Sequence, residues 1–452
     1  GRSLGTEVNK HSPALNAGIL DDVPASGVGG VPEEGLGGGT PLGAVLTASP
    51  PAHVPYLRAT LVLCIGTFTL LPAVYAPQPI LPLLSQDFHI SPGVAGLTLS
   101  VFSIALAISL LVAGPLSDRI GRRPLIITAS LLLVIPSLLV AWAPTYGLLL
   151  AARAAQGVLA SGIGAVAIAY IGDELPPAQR GSAIGWYSMA LSWSALLGRV
   201  GGGLLAGQFG WRGMFIGLAA LSLVGALTLT LGLPPARRFR PSADALAAFR
   251  QMGGTLRSRT MVSGYLVGFL MGVILLGFLT YISYYLSAPP FNLSTTQLGL
   301  IFLAYVFGLC APLAGSISTR VGRRPVITAC LLILSTGILL TRSQTLMVVL
   351  LGVVLLALGL ISAYSVTNAY VGDHASGRRG GATGLYLFAW YTGGAVGAAV
   401  MGPLWTGAGW SSITLVCLGL MLVALATLWA LGQGKAQPQA ETIAPAHPTA
   451  GD

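Results

Sequence analysis

Between positions 57 and 432 long apolar runs alternate with short polar breaks, twelve times over. The runs cover about 57–83, 96–116, 124–142, 146–171, 182–208, 212–233, 261–287, 297–316, 325–341, 346–371, 382–407 and 411–432. A helix needs roughly 20 residues to cross the hydrocarbon core of a bilayer, and longer runs are accommodated by tilt. The pattern predicts an all-α polytopic membrane protein of twelve transmembrane helices. Pro72, Pro77, Pro79 and Pro82 fall in the first run. They predict a kinked span, tolerated where neighbours re-satisfy the freed backbone groups.

Composition sharpens this. Of 452 residues, 54% are apolar and 8% charged, against roughly 25% charged in a soluble domain. That excludes an ordinary soluble enzyme, a disordered chain and a disulfide-rich secreted domain. The net charge of +10 comes from short clusters between apolar runs, with no continuous basic face, so nucleic acid is not the expected partner. The lipid bilayer is.

Lys and Arg set the orientation. Nineteen of the 23 lie on the N-terminal side, after even-numbered runs or in the tail, and two, Arg212 and Arg342, follow odd-numbered runs. Both termini are expected in the cytoplasm. Residues 1–55, rich in Gly, Pro, Ala and Ser, are expected to form a disordered cytoplasmic tail and not a secretory signal. Residues 433–452 read the same way. Residues 234–260 hold six Arg and one Asp, a basic cytoplasmic linker suited to an anionic leaflet. Cys64, Cys310, Cys330 and Cys417 all lie in apolar runs, where thiols are ordinarily inert. No metal or cofactor site is expected. The dominance of Arg over Lys hints at a GC-rich bacterial genome.

The chain repeats itself. Gly114-Pro-Leu-Ser-Asp118-Arg119-Ile-Gly121-Arg122-Arg123-Pro124 returns as Gly315-Ser-Ile-Ser-Thr319-Arg320-Val-Gly322-Arg323-Arg324-Pro325, 201 positions on. Ala169-Tyr170-Ile171-Gly172-Asp173 returns as Ala369-Tyr370-Val371-Gly372-Asp373, and Gly210-Trp211 as Gly409-Trp410, at offsets of 200 and 199. Two six-helix halves in parallel orientation follow, 57–233 and 261–432. Gly121 and Gly322 would make tight turns, Gly114 and Gly315 would admit a closely packed helix, and Asp118 would pair with a nearby Arg or meet a helix N-terminus.

The doubled G-x-x-x-D-R-x-G-R-R pattern resembles the signature of the major facilitator superfamily. The stretch Gln78-Pro-Ile-Leu-Pro82 and the Gly198-Arg199 pair before Gly201-Gly202 resemble bacterial exporters of the acriflavine-sensitivity branch. The resemblance implies twelve helices around a central cavity, alternating access, and proton-driven export of small organic molecules across the bacterial inner membrane by a monomer. It makes the first loop (Gly114, Asp118, Arg119, Gly121, Arg122, Arg123) a gate. Thr319 replaces the acid in the second (Gly315, Arg320, Gly322, Arg323, Arg324), which points there to packing or orientation, with gating as the alternative.

Every Asp and Glu lies in a tail, a loop or a span end, and no histidine lies at mid-membrane. Proton coupling, inherited from the resemblance, must then use Asp87, Asp118, Asp173, Glu174, Asp373 or a water network. Arg153 and Arg199 do lie inside spans, at a cost of at least about 2.5 kcal/mol at mid-depth, so each needs a partner or water. Arg153-Ala-Ala-Gln156-Gly157 matches the family's fourth-helix R-x-x-Q-G, for which a role in proton movement or conformational coupling is implied. The plain alternative is an arginine capped by carbonyls that ties helices together. With no acid to pair them, both arginines leave an anionic substrate open. The glycines at 198–207 and 393–402 read as helix-packing surfaces.

If the resemblance holds, Tyr75, Gln78, Tyr281, Tyr284, Tyr364 and Asn368 line the cavity. Interfacial anchoring accounts equally for aromatic residues, Trp211, Trp405 and Trp410 above all. The leading function is a proton-coupled exporter of drugs or metabolites. Its rivals are an organic-anion transporter, exporter or importer, using Arg153 or Arg199, and a non-transporting receptor or scaffold. No P-loop is present, which excludes an ATP-driven pump. No nucleophile or acid–base constellation suggests an enzyme.

Overall fold

A computed structural model describes residues 55–238, 253–375 and 379–432. The expected tails, apart from Pro55, and the middle of the expected linker lie outside the described residues. Ten helices there are long and apolar enough to cross a bilayer, and two of these are double. We number the crossings α1 (Tyr56–Asp87), α2 (Pro92–Ile120), α3 (Arg122–Ala141), α4 (Tyr146–Glu174), α7 (Arg259–Ser287), α8 (Thr295–Val321), α9 (Arg323–Leu340) and α10 (Leu346–Asp373). The helix Pro177–Gly232 is broken at Gly210 into α5 and α6, and Arg379–Leu431 is broken at Gly409 into α11 and α12. The crossings number twelve, in two halves, α1–α6 and α7–α12.

The breaks are made by the repeat. Gly210 and Gly409 take φ of 70° and 66°, where a Cβ would clash. The Trp after each break is buried, which corrects the reading of Trp211 and Trp410 as interfacial anchors. Trp211 donates to Asp87 (2.9 Å) and Trp410 to the Thr341 carbonyl (3.0 Å). Each closes a turn against its own half. Trp405 packs beside Tyr281 and Tyr284.

Helix starts carry their own signals. Ser91, Thr145 and Ser258 side chains accept from the third residue of α2, α4 and α7, and Ser294 with Gln297 forms a reciprocal capping box on α8, satisfying donors that no helix can satisfy itself. Inside the bundle three crossings depart from α geometry. α1 loosens into 3₁₀ turns at Pro72–Val74 and Gln78–Ile80. α7 widens to a π-helix at Ile274–Phe278, and α8 tightens to 3₁₀ over Phe302–Cys310. One apolar core lies within the first half, around Ile126, Ala167 and Leu229; a larger one fills the second half and reaches across to α1 and α2. Large apolar side chains such as Leu231, Met347 and Leu422 point outward, as a lipid-facing surface requires.

Candidate functional site

One end of the bundle carries the Gly121 and Gly322 turns, here called the basic end; the other is the far end. Gly121 and Gly322 adopt nearly the same backbone, φ 99° and 102°. The residue after each makes the same bonds. Arg122 Nε donates to Asp173 at 3.0 Å and Arg323 Nε to Asp373 at 3.0 Å, while their second arms reach the Ser117 and Ser318 hydroxyls. Each bridge ties a turn to the end of α4 or α10, within one half. Asp118 adds a second carboxylate to Arg122; Thr319 bonds only its own helix, at Ser316 O. Arg123 Nε caps Leu233 O at 2.9 Å. Arg119 and Arg320 are exposed, and Arg324 Nη2 lacks a hydrogen-bond partner.

Gly114 and Gly315 have nothing within 4 Å of where a Cβ would stand, so no helix packs on them in this conformation. Glu174 is 1% exposed and accepts from the backbone N–H groups of Arg237 and Arg238 at 2.9 and 3.0 Å. With the Tyr170 hydroxyl on Pro234 O (2.8 Å), it holds the first residues after α6 in place.

Arg153, fully buried, is a clamp built around the prolines of α1. Pro77 has no N–H to give Ala73 O four residues back, and the Gln78 N–H turns to Tyr75 O. The carbonyls of Ala73 and Val74 are thereby freed, and Arg153 takes both, at 2.8 and 3.3 Å. It also donates to Thr98 O (3.2 Å) and Gln156 Oε1 (2.7 Å) and lies 4.4 Å from the Phe102 ring centre. Gln156 Nε2 reaches the Ser137 hydroxyl. Two side chains of α4 thus bind α1, α2 and α3 together.

Arg199, 2% exposed, is held differently. Its Nε donates to Gln78 Oε1 (2.6 Å) and an Nη to Ala195 O one turn back in α5 (3.2 Å). Its guanidinium lies 4.0 Å from the Tyr75 ring centre, 4.6 Å from Tyr305 and 5.7 Å from Phe302. Tyr75, Gln78 and Arg199 come from the first half, Phe302 and Tyr305 from the second.

This cluster lies on the seam between the halves. Ser100 Oγ donates to Ala395 O (2.8 Å), and the Tyr284 hydroxyl bonds Leu81 O (3.0 Å) and Ser85. Backbones touch where Gly203 meets Gly299 and Gly93 meets Gly402; a Cβ on Gly203, Gly299 or Gly402 would overlap the facing backbone, and one on Gly93 would press against it. These contacts lie toward the far end of the bundle, and nearer its middle the Tyr75 hydroxyl bonds Tyr391 of the second half.

Tyr281 and Tyr284, expected in the cavity wall, are buried in this seam, Tyr281 donating to Ala398 O (3.1 Å). Tyr364 packs on Trp390 (4.4 Å) and Tyr386 (5.5 Å), and the Asn368 Oδ1 is buried without a partner. Phe302, Tyr305 and Ser100 were missed because nothing in their local sequence separates them from lipid-facing neighbours.

A twelve-helix bundle of two like halves, with the same ion-paired turn in each and a seam closed at one end, defines a membrane transport protein. The chain belongs to the Major Facilitator Superfamily, whose sequence profile matches residues 63–289 and 287–449. It is 32% identical over 362 residues to the MFS-type transporter YybF of Bacillus subtilis (strain 168), covering 80% of this chain and 89% of that protein. It is 32% identical over 380 residues to the inner membrane transport protein YnfM of Escherichia coli (strain K12), covering 82% and 89%. Among solved structures, the D-xylose-proton symporter superposes with a TM-score of 0.71 at 18% identity, over 85% of this chain and all of that one.

Proposed function

We propose that the protein is a secondary active transporter working by alternating access, which exports small organic molecules, drugs or metabolites, in exchange for protons across a bacterial inner membrane. The observation that carries this is the seam. With the arginine-rich end assigned to the cytoplasm, halves whose seam among the described residues is closed toward the far end fit an inward-facing conformer. Rocking the halves about the middle would part Gly203 from Gly299 and bring the basic ends together. The open faces at Gly114 and Gly315, and the charged turns around Asp118, Arg122 and Arg323, would then meet the opposite half. A single chain of residues 57–233 and 261–432 joined by the linker is the working unit.

Proton exchange and the exporter assignment rest on the resemblance to the acriflavine-sensitivity branch. A second reading, transport of organic anions, is favoured by one observation: Arg199 is buried without a carboxylate partner. The test is uptake and release of a compound panel by proteoliposomes under an imposed pH gradient, with and without a protonophore. Movement that follows the gradient and stops with the protonophore supports proton coupling. Movement indifferent to both refutes it. A crosslink between cysteines at Gly93 and Gly402 that leaves transport intact refutes alternating access.

A further inference from the structure

We propose that Arg199 is the receptor for a carboxylate and that the site takes small aromatic monocarboxylates. This names a substrate class for the transport reading above and rests on that reading for its purpose, though its chemistry stands on the following geometry.

The two buried arginines are unequally satisfied. Arg153 donates to four oxygens, three of them carbonyls. Arg199 makes two hydrogen bonds, one to a carbonyl of its own helix. A guanidinium has five N–H donors, all in its plane. The Tyr75 and Tyr305 rings lie against Arg199, which satisfies its π-system but not those donors. What remains is the planar fork that matches a carboxylate in bidentate geometry.

The groups around it want an acceptor. Gln78, fully buried, turns its Oε1 to Arg199, which leaves Nε2, a pure donor, without a partner. The Tyr305 hydroxyl, on a residue 8% exposed, is also buried without one. A buried polar group left unpaired costs about 1–3 kcal/mol, so both favour a ligand that supplies lone pairs. A cationic or purely apolar ligand would leave them as they are. The described acids lie at span ends: Asp87 holds Arg212, while Asp118 and Asp173 hold Arg122.

The backbone marks the same place. Tyr75 and Gln78 sit in the loosened part of α1, and Phe302 and Tyr305 in nine residues of 3₁₀ helix in α8, where such runs rarely exceed three or four. Interrupted helices at the contact of two repeats are where transporters of this kind place binding groups. Because the donors come from both halves, parting the far-end seam separates Tyr305 from Arg199 and dismantles the site, which gives the bound state a preferred conformation. Tyr75, Phe302 and Tyr305 would give a carboxylate held there aromatic neighbours, which is why an aromatic body is assigned behind it.

The test uses the purified full chain with benzoate and 4-phenylbutyrate as probes, and benzamide and benzylamine as matched neutral and cationic controls, read as ligand-dependent shifts in melting temperature. The two carboxylates should stabilise the wild type and the controls should not. Arg199→Lys should weaken carboxylate binding tenfold or more, Arg199→Gln should abolish it, and Tyr305→Phe, which removes one hydroxyl, should weaken it at least threefold. Should Arg199→Gln not fold, Tyr305→Phe and Arg199→Lys decide. No shift with either carboxylate, equal shifts with benzamide, or unchanged binding in the folded variants overturns the proposal. Binding without movement in proteoliposomes under any gradient leaves this site standing and sinks the transport reading. Movement of other compounds without carboxylate binding does the reverse.

Discussion

Replacing Arg153 with methionine keeps an unbranched side chain, two atoms shorter, and deletes its donors. Two of the acceptors it abandons have no other recourse: Ala73 O faces Pro77, which has no N–H, and Val74 O has lost its helical donor to Tyr75 O. Thr98 O stays inside the regular helix α2 and counts for less. A buried carbonyl without a donor costs about 1–3 kcal/mol, or about 2–6 kcal/mol for two. Interhelical hydrogen bonds in membrane bundles average nearer 0.6 kcal/mol, which places the expected loss at the low end, about 2 kcal/mol. Pro77→Ala supplies the check, because it restores an N–H at a residue already at φ −68° and ψ −18°, a conformation alanine adopts freely. In a four-protein cycle read by unfolding in mixed micelles, Pro77→Ala alone should change little. In the Arg153→Met background it should recover about half the loss, a coupling of about 1 kcal/mol. Additivity within error, or an Arg153→Met protein as stable as wild type, refutes the idea that Arg153 replaces the hydrogen bond the proline removes.

Gly203→Val should wedge the seam, since its Cβ would overlap the Gly299 backbone; reporter cysteines at the far end should become at least tenfold more reactive, and unchanged reactivity counts against the seam as the closure. Asp173→Asn and Asp373→Asn should each destabilise by about 0.5 kcal/mol or less, Asp173→Asn the less because Arg122 keeps Asp118, since both bridges are partly exposed and such pairs contribute little. Asp118→Asn should shift accessibility at the basic end more than Thr319→Ala does, and equal effects of the two would remove the chemical asymmetry between the gates. At the far-end loops, the Arg212 guanidinium and the Trp211 indole N–H hold the Asp87 carboxyl below its ordinary 3.8. A carboxyl lowered on folding stabilises above its unfolded pKa and loses that contribution only as pH falls through the lower, folded value. The α1–α6 tie should therefore be indifferent to pH between 5 and 8, measured as hydrogen exchange at residues 85–89; a change in that window would show that another group governs it.

The sequence by itself determined the solvent, the count of crossings and the repeat. Hydrocarbon leaves no partner for an unpaired backbone group, so runs of this length and polarity have one solution, and two copies of the Gly-Arg-Arg turn must take the same local shape. The prolines of α1 announced a break, and the intramembrane arginines announced a need for partners. Tertiary structure alone decided which partners. Arg153 lies some 80 positions from the carbonyls it caps and Arg199 more than 100 from the ring of Tyr305, separations that no local pattern encodes. It also decided what the glycines do. Gly203 and Gly114 look alike in sequence, yet one is pressed against Gly299 and the other meets nothing. The difference lies in which surfaces the folded bundle brings together, and neither glycine's local sequence says which.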